Sequence, residues 1–418
     1  MITDSFPGKS QGDRRFAAFV FVSGVLIGLV YHAYLWQIGD NGLSALFDRL
    51  PYWDFTNLWA GSRMALDGDS ATLFDADGYR SALREMLSPD LPNQEWSYPP
   101  SMLLVGALLA VLPIGLAYLV WTFGTIALLH GAIRPLRLPM PIHVAAVFSP
   151  AVAINAFFGQ NGAFTAALLI GGLLAAPKRP ILAGVLFGLL TVKPQLGILV
   201  PFCLLASGNW RAIASAAVTT VTLVLLTGLA FGFGTWTLFF DETRPLMTAI
   251  MEAPFPMPYH ANALTVFIMA RSLGAGIDAS YIAQAIATVA AIAVAIWLWL
   301  PSTAIDPRRR SLLTATLAIV VTPYGYTYDT IPMCVAVAYL FAVAKEPRLV
   351  ALSLAWLFPL VAHLLPLAEI GVGVLVPIGV AFALIAPVLW RDQGGSAAAD
   401  GTPPETRSDR TSTVTTLF

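Results

Sequence analysis

Apolar residues run along this chain in long, almost unbroken stretches, separated by short polar breaks and one long one. The first stretch covers residues 17–36, and others begin near Ser101, Ile114, Ile142, Ala163, Ile181, Ala212, Tyr281, Leu312, Ile331, Leu349 and Ile370. Runs of about 20 apolar residues cross a bilayer as helices, so the pattern predicts an all-α, polytopic membrane protein of about twelve transmembrane helices. Between the first two runs, residues 38–98 stay outside the membrane, and within them 57–66 and 76–87 carry helical periodicity. Short helices lying on the membrane surface are expected there. A second polar stretch covers 234–280. From Asp392 the chain turns to Gly, Ser, Thr, Pro and charge, which predicts a disordered cytoplasmic tail over 392–418 after a single integral-membrane domain, 1–391.

Composition agrees with the pattern. Of 418 residues, 57% are hydrophobic and 11% charged, and the mean hydropathy is +0.74. No stretch is left for a separate soluble domain. A net charge of −1 offers no basic surface for nucleic acid. Cys203 and Cys334 fall inside apolar runs and read as small buried hydrophobes. The five histidines lack ligand spacing, so neither metal nor cofactor is expected. P-loop, dinucleotide-fold and H-E-x-x-H signatures are missing as well. Arg14 and Arg15 precede an apolar run of full span length with no small-residue cleavage site after it, so that run is expected to be an uncleaved first span.

Lys and Arg orient the helices. With the N-terminus inside, Arg14, Arg15, Arg211, Arg308, Arg309, Arg310, Lys345, Arg348 and Arg391 are all cytoplasmic, and 38–98, 234–280 and 323–329 are outer loops. Twelve spans require 101–113 and 181–206 each to cross once, which leaves Arg134, Arg137, Lys178 and Arg179 outside, against the rule. A half-inserted helix at 101–113 and a break at Lys193-Pro194 would bring them inside. The twelve-span count is the expectation adopted, since loops of this length tolerate exceptions.

Few polar groups in such a chain lack a purpose. Asp54 follows the first span among Tyr52, Trp53, Phe55 and Trp59. A carboxylate in apolar surroundings is costly unless it acts. Lys193 stands mid-way along an apolar run beside Pro194. A lysine there costs roughly 2.5–3.5 kcal/mol on insertion scales, which makes it a functional candidate, a phosphate-binding cation, against the plainer alternative of snorkelling to the interface. Gln160 and Asn161 supply amides at a span boundary, His260 and Asn262 lie in the second outer loop, and Tyr328 and Asp329 lie in the third. Asp241, Glu242 and Arg244 read as solvated loop charges. The segment Trp96 to Pro100 reads as a mainly structural aromatic and proline helix start.

In order, Asp54-Phe55 with Trp59, Leu73-Phe74-Asp75, Tyr98-Pro99-Pro100, Gly159-Gln160-Asn161, and Ala183-Gly184 with Gly188 leading to Lys193-Pro194 resemble glycosyltransferase family 87, the polyprenyl-phosphate-mannose-dependent mannosyltransferases. The likeness runs over about residues 50–340. It implies a GT-C-type bundle in the bacterial inner membrane, whose periplasmic first loop carries the catalytic acid, here Asp54. Near 324–329 the chain departs from the family pattern, which leaves sugar and acceptor open. The implied reaction moves a hexose, mannose by the likeness, from a polyprenyl-phosphate-linked donor to a lipid or glycan acceptor among membrane lipids. Asp54 would be the general base and would act with inversion. Lys193, with Arg63, would meet the departing phosphate, and Asn57, Gln160, Asn161, His260, Asn262, Tyr328 and Asp329 would hold substrate. A secondary transporter or a flippase of lipid-linked glycans is the competing reading, because broken helices and an intramembrane lysine also belong to transporters.

Overall fold

The computed structural model describes residues 11–46, 48–344 and 348–396. Among these the regular structure is helical, and extended pairing is confined to isolated bridges, Ile38 with Ser44 and Ala263 with Tyr326. Helix α1 (Gln11–Leu35) leads into the long polar segment, which forms α2 (Trp53–Leu66), α3 (Ser70–Phe74) and α4 (Ala76–Met86). Helix α4 starts where the Asp75 carboxylate accepts the Gly78 N–H at 2.8 Å, an N-cap, and it buries Tyr79 and Leu83 on one face. Helix α2 corrects the expectation of a surface helix. Phe55, Thr56, Asn57, Leu58, Ala60, Gly61 and Ser62 are all buried. Its small residues let α5 (Met102–Ala110) pack directly on it, and Trp59 Nε1 donates to the Leu112 carbonyl at 2.9 Å just past α5.

The nine residues of α5 rise only ~13 Å, under half of a ~30 Å hydrocarbon core. The full span expected at 101–113 is therefore a short helix that reverses at Pro113 into α6 (Ile114–Ile133). After α7 (Met140–Val147), α8 (Pro150–Phe158) and α9 (Gly162–Ala175), the run expected as one span at 181–206 breaks into α10 (Pro180–Leu189) and α11 (Leu199–Ala206). Pro194 supplies no N–H to continue the ladder, and short 3₁₀ turns flank Lys193 instead. The chain continues through α12 (Trp210–Phe231), α13 (Gly234–Leu238), α14 (Arg244–Glu252), α15 (Val266–Ser272), α16 (Ile277–Trp299), α17 (Pro307–Leu317) and α18 (Ile331–Val343). It ends with α19 (Leu349–Val361), α20 (Leu364–Leu367) and α21 (Leu375–Ser396). The twelve spans expected are not confirmed: among the described residues five helical stretches have the length and apolarity to cross a membrane, Ala18–Leu35, Ile114–Leu136, Met140–Phe158, Trp210–Phe231 and Ile277–Trp299. Six apolar helices are shorter. The expected tail lies outside the described residues from 397 onward, as does Lys345.

Three hairpins set the functional geometry. Helices α8 and α9, α10 and α11, and α17 and α18 rise from one end of the bundle and turn back at Gly159–Asn161, at Lys193 and at 322–330. Two glycines let the tips close up. Gly159 sits at φ +67°, and a Cβ there would lie 2.4 Å from that of Phe55 at the start of α2. A Cβ on Gly162 would meet the Tyr328 carbonyl at 2.2 Å. With 14 residues, α9 climbs ~21 Å, about 10 Å less than the thickness of a ~30 Å hydrocarbon core.

The opposite end carries a cluster of basic residues. Arg134, Arg137, Lys178, Arg179, Arg211, Arg308, Arg309 and Arg310 all stand where helices begin or end away from the tips. Asn209 Nδ2 to Ala176 O (2.8 Å), Tyr339 OH to Asp306 Oδ2 (3.0 Å) and an Arg309 N–H to Leu384 O (3.2 Å) tie that end together. The short α5 and the break at Lys193 thus put Arg134, Arg137, Lys178 and Arg179 at the same end as Arg211 and Arg308–Arg310.

Candidate functional site

A cavity of about 1180 Å³ opens between the hairpin tips, the start of α2 and the segment α13–α14. Asp54 lies in the first turn of α2, where the helix dipole favours a negative charge. Its carboxylate faces the cavity and is partly buried. Burial pushes it up to about 6, while a hydrogen bond from the Gln160 side chain and the charges of Arg49 and Lys193 pull the other way. Gln160 Oε1 already accepts the Asn161 N–H at 3.1 Å, which leaves its Nε2 to donate to Asp54. Tyr98 also reaches Gln160, and burial followed by the charge of Asp54 holds its phenol well above the usual range, so it stays a neutral donor.

Beneath this wall the tips are locked by a buried ion pair. Lys193 is only 7% exposed. Its Nζ lies 2.6 Å from Asp329 Oδ1 and 3.3 Å from Asn161 Oδ1, with the Tyr328 ring centroid 4.9 Å away. Asp329 Oδ2 accepts the Tyr326 N–H at 3.2 Å. One interaction set thus joins all three hairpins, and it gives Lys193 an anionic partner that linear sequence could not reveal.

Several expected residues meet at the cavity. Asp54, Asn57, Gln160, Lys193, Asn262 and Tyr328 line it. Asn57 is held by Tyr79 OH and by its own Nδ2 donating to the Glu95 carbonyl at 2.7 Å. Asn262 Oδ1 accepts from Thr327 Oγ1 at 3.3 Å. Asn161 and Asp329 stand just behind the floor, as supports of Lys193. His260 is buried and turned away. Its Nδ1 accepts the Met257 N–H at 3.2 Å, its Nε2 faces the Met251 carbonyl at 3.2 Å, and its ring stacks on Phe255. With both nitrogens occupied by backbone, His260 fixes the loop and does not reach the cavity. Arg63 is not brought there either. Its Nε pairs with Asp67 at 3.3 Å one helical turn on, with side chains 46% and 59% exposed.

Sequence reasoning missed Arg49, Glu95, Tyr98, Tyr259 and Arg244, all of which line the cavity. Glu95 is gripped by the Arg80 guanidinium, Nε at 3.0 Å, and Trp96 packs edge-on against Tyr98 at 5.2 Å. Arg244, read as a loop charge beside Asp241 and Glu242, follows a π-helical turn, Phe239–Thr243, that continues α13 into α14. The amphipathic pattern of 244–252 was the available signal. Among the described residues, no group of three or more His, Cys, Asp or Glu side chains could hold a metal ion.

Such a site, an ionisable carboxylate in a chamber partly lined by aromatic rings within an apolar helical bundle, can carry general-base chemistry. Residues 96–323, more than half of the chain, match the model of glycosyltransferase family 87, and the protein belongs to that family. It is accordingly a membrane glycosyltransferase. Asp54 lies before the matched segment and Asp329 after it, and the fold brings both to one place. No curated protein and no solved structure matches the chain.

Proposed function

We propose that the protein moves a hexose, mannose by its family likeness, from a polyprenyl-phosphate-linked donor to a hydroxyl of a lipid or glycan acceptor. The observation that carries this reading is Asp54. Of the two carboxylates lining the cavity, Glu95 is neutralised by Arg80, whereas Asp54 has no cation within ion-pair reach among the described residues. Pushed up to about 6, it is mostly ionised at neutral pH and is a better base than an ordinary carboxylate. Asp54 takes the acceptor's hydroxyl proton, the oxygen bonds to the anomeric carbon, and the bond from that carbon to the donor's phosphate oxygen breaks with its electrons. A single carboxylate acting from one side inverts the anomeric centre. In this reading the Lys193–Asp329 pair braces the tips and biases Asp54 toward its charged form.

The distribution of Lys and Arg supports a cavity that faces outward from a bacterial inner membrane. Cysteines placed at Ser70, beside the cavity end, and at Ser302, at the opposite end, test this in intact cells. An impermeant thiol reagent is expected to label the first only, over a low background because Cys203 and Cys334 are buried. Labelling at Ser302 would reverse the orientation. For the chemistry, purified protein in detergent is incubated with radiolabelled polyprenyl-phosphate-hexose and a crude lipid extract. Label in a new glycosidic bond is expected; its failure to form would sink the reading.

A further inference from the structure

Three cations line the cavity, and they differ in what they face. Lys193 is matched by Asp329 at 2.6 Å. Arg49 stands over the Trp53 ring at 4.9 Å and acts on Asp54. Arg244 lies against Phe240, its guanidinium carbon 5.4 Å from the ring centroid, and no described carboxylate comes within ion-pair reach of it. It is also not among the charges that act on Asp54. An in-line displacement needs base and leaving group on opposite sides of the anomeric carbon. A cation that belongs to the leaving phosphate must therefore stand away from the base, and Arg244, which has neither a described carboxylate partner nor a place among the charges that act on Asp54, is the candidate among the three.

The surroundings of Arg244 point the same way. Thr243 and Thr248, on the same stretch of chain, line the cavity beside it, and the Thr248 hydroxyl meets Tyr324 OH at 3.1 Å. Next to these hydroxyls the wall turns apolar through Phe239, Phe240, Met247 and Ile250, and then Leu223 and Val224 of α12. Helix α12 is a full-length span with only 17% of its apolar window buried inside the protein. A charged head followed by a long hydrocarbon chain fits this change from guanidinium and hydroxyls to aliphatic wall.

Resting on the transferase reading above, we propose that Arg244 binds the phosphate of the polyprenyl-linked donor, with the prenyl chain leaving along Phe239, Phe240 and α12. As the bond to the sugar breaks, charge grows on that phosphate, so Arg244 holds the transition state more tightly than the bound donor.

Quenching of native tryptophan fluorescence, with Trp53 and Trp236 in the cavity wall, measures binding of polyprenyl monophosphate, of the neutral polyprenol and of inorganic phosphate to the full chain in detergent. A charge-assisted contact of this kind gives wild type an about 10- to 100-fold preference for polyprenyl monophosphate over polyprenol. Arg244→Gln is expected to erase that preference without changing polyprenol binding, which also shows that the variant is folded. Arg244→Lys should keep part of the preference, and Arg49→Gln all of it. Inorganic phosphate is expected not to compete at millimolar concentration, because the chain supplies most of the affinity; strong competition would assign the site to a free anion and overturn the lipid assignment. Undiminished preference in Arg244→Gln overturns the role of Arg244 and leaves the transferase reading standing. No preference in wild type overturns that reading and this inference with it.

Discussion

Two aspartates stand at the same end of this bundle and have opposite fates. Asp329, at the turn before α18, has Lys193 Nζ at 2.6 Å and a backbone N–H on its other oxygen. Asp54, at the start of α2, has an amide from Gln160 and, among the described residues, no cation within ion-pair reach. The first carboxylate is fully satisfied and can only hold. The second has a free face toward a large cavity and can take a proton. Residue type is the same, so in the proposed reading the partner decides which acid holds the fold and which is free to react.

Breaking the comparison at Asp54 should have the largest effect. Asp54→Asn keeps size and hydrogen bonding but removes basicity, so turnover is expected to fall about 10²–10⁴-fold with donor binding little changed. Stability should move the other way. The folded-state value of Asp54 lies near 6, above the ordinary 3.8, so its ionisation costs the fold something above pH 6 and nothing below about pH 3.8. Asp54→Asn should therefore melt higher than wild type at pH 7. Wild-type turnover in a folded Asp54→Asn protein would end the proposed mechanism.

At Asp329 the expected loss is one of stability. Asp329→Asn leaves the Lys193 charge buried without its counter-ion, a change worth about 3–5 kcal/mol in comparable pairs. The melting temperature should drop, and the double change Lys193→Met with Asp329→Leu should recover much of it. A single Asp329→Asn variant as stable as wild type would show that the pair does not brace the tips.

Titration sharpens the contrast further. A base must be unprotonated, so kcat/KM should fall as pH drops through about 6, the value to which burial pushes Asp54. Arg49→Gln removes a charge that favours the ionised form and should move the midpoint upward. A midpoint near 4 would mean that Asp54 is more hydrated than the structure shows. The smallest effect belongs to Arg63→Gln. The Arg63–Asp67 pair is exposed, so stability should change by no more than ~0.5 kcal/mol and donor affinity not at all. A large loss of donor affinity would return Arg63 to the site.

Much of this arrangement was legible in the chain. The helical membrane class, the positions of Gly159, Gln160, Asn161 and Lys193 at breaks in apolar runs, and the isolation of Asp54 among aromatics all follow from residue order. The number of crossings between 101 and 206 did not, because hydropathy measures how apolar a run is and cannot tell a helix that crosses from one that turns back. The Lys and Arg pattern held that information at Arg134 and Lys178. The partner of Lys193 was hidden for a different reason, since Asp329 lies far along the chain and meets it only when two hairpins pack. His260 and Arg244 exchanged expectations likewise. That a histidine has both nitrogens bonded to backbone, or that an arginine after a π-helical turn lines a cavity, is not visible in residue order.

The shortness of the inner hairpins has one more consequence, for the work of lifting a lipid. A floor level with the membrane surface would require a lipid-borne sugar to draw about 10 Å of hydrocarbon tail into water before it could react. That length is on the order of eight carbons, and at about 0.8 kcal/mol each the extraction would cost roughly 6 kcal/mol. In the proposed reading, hairpins shorter than a full crossing would let the polar side chains at Gln160 and Lys193 meet the head group instead, with the tail left at its resting depth.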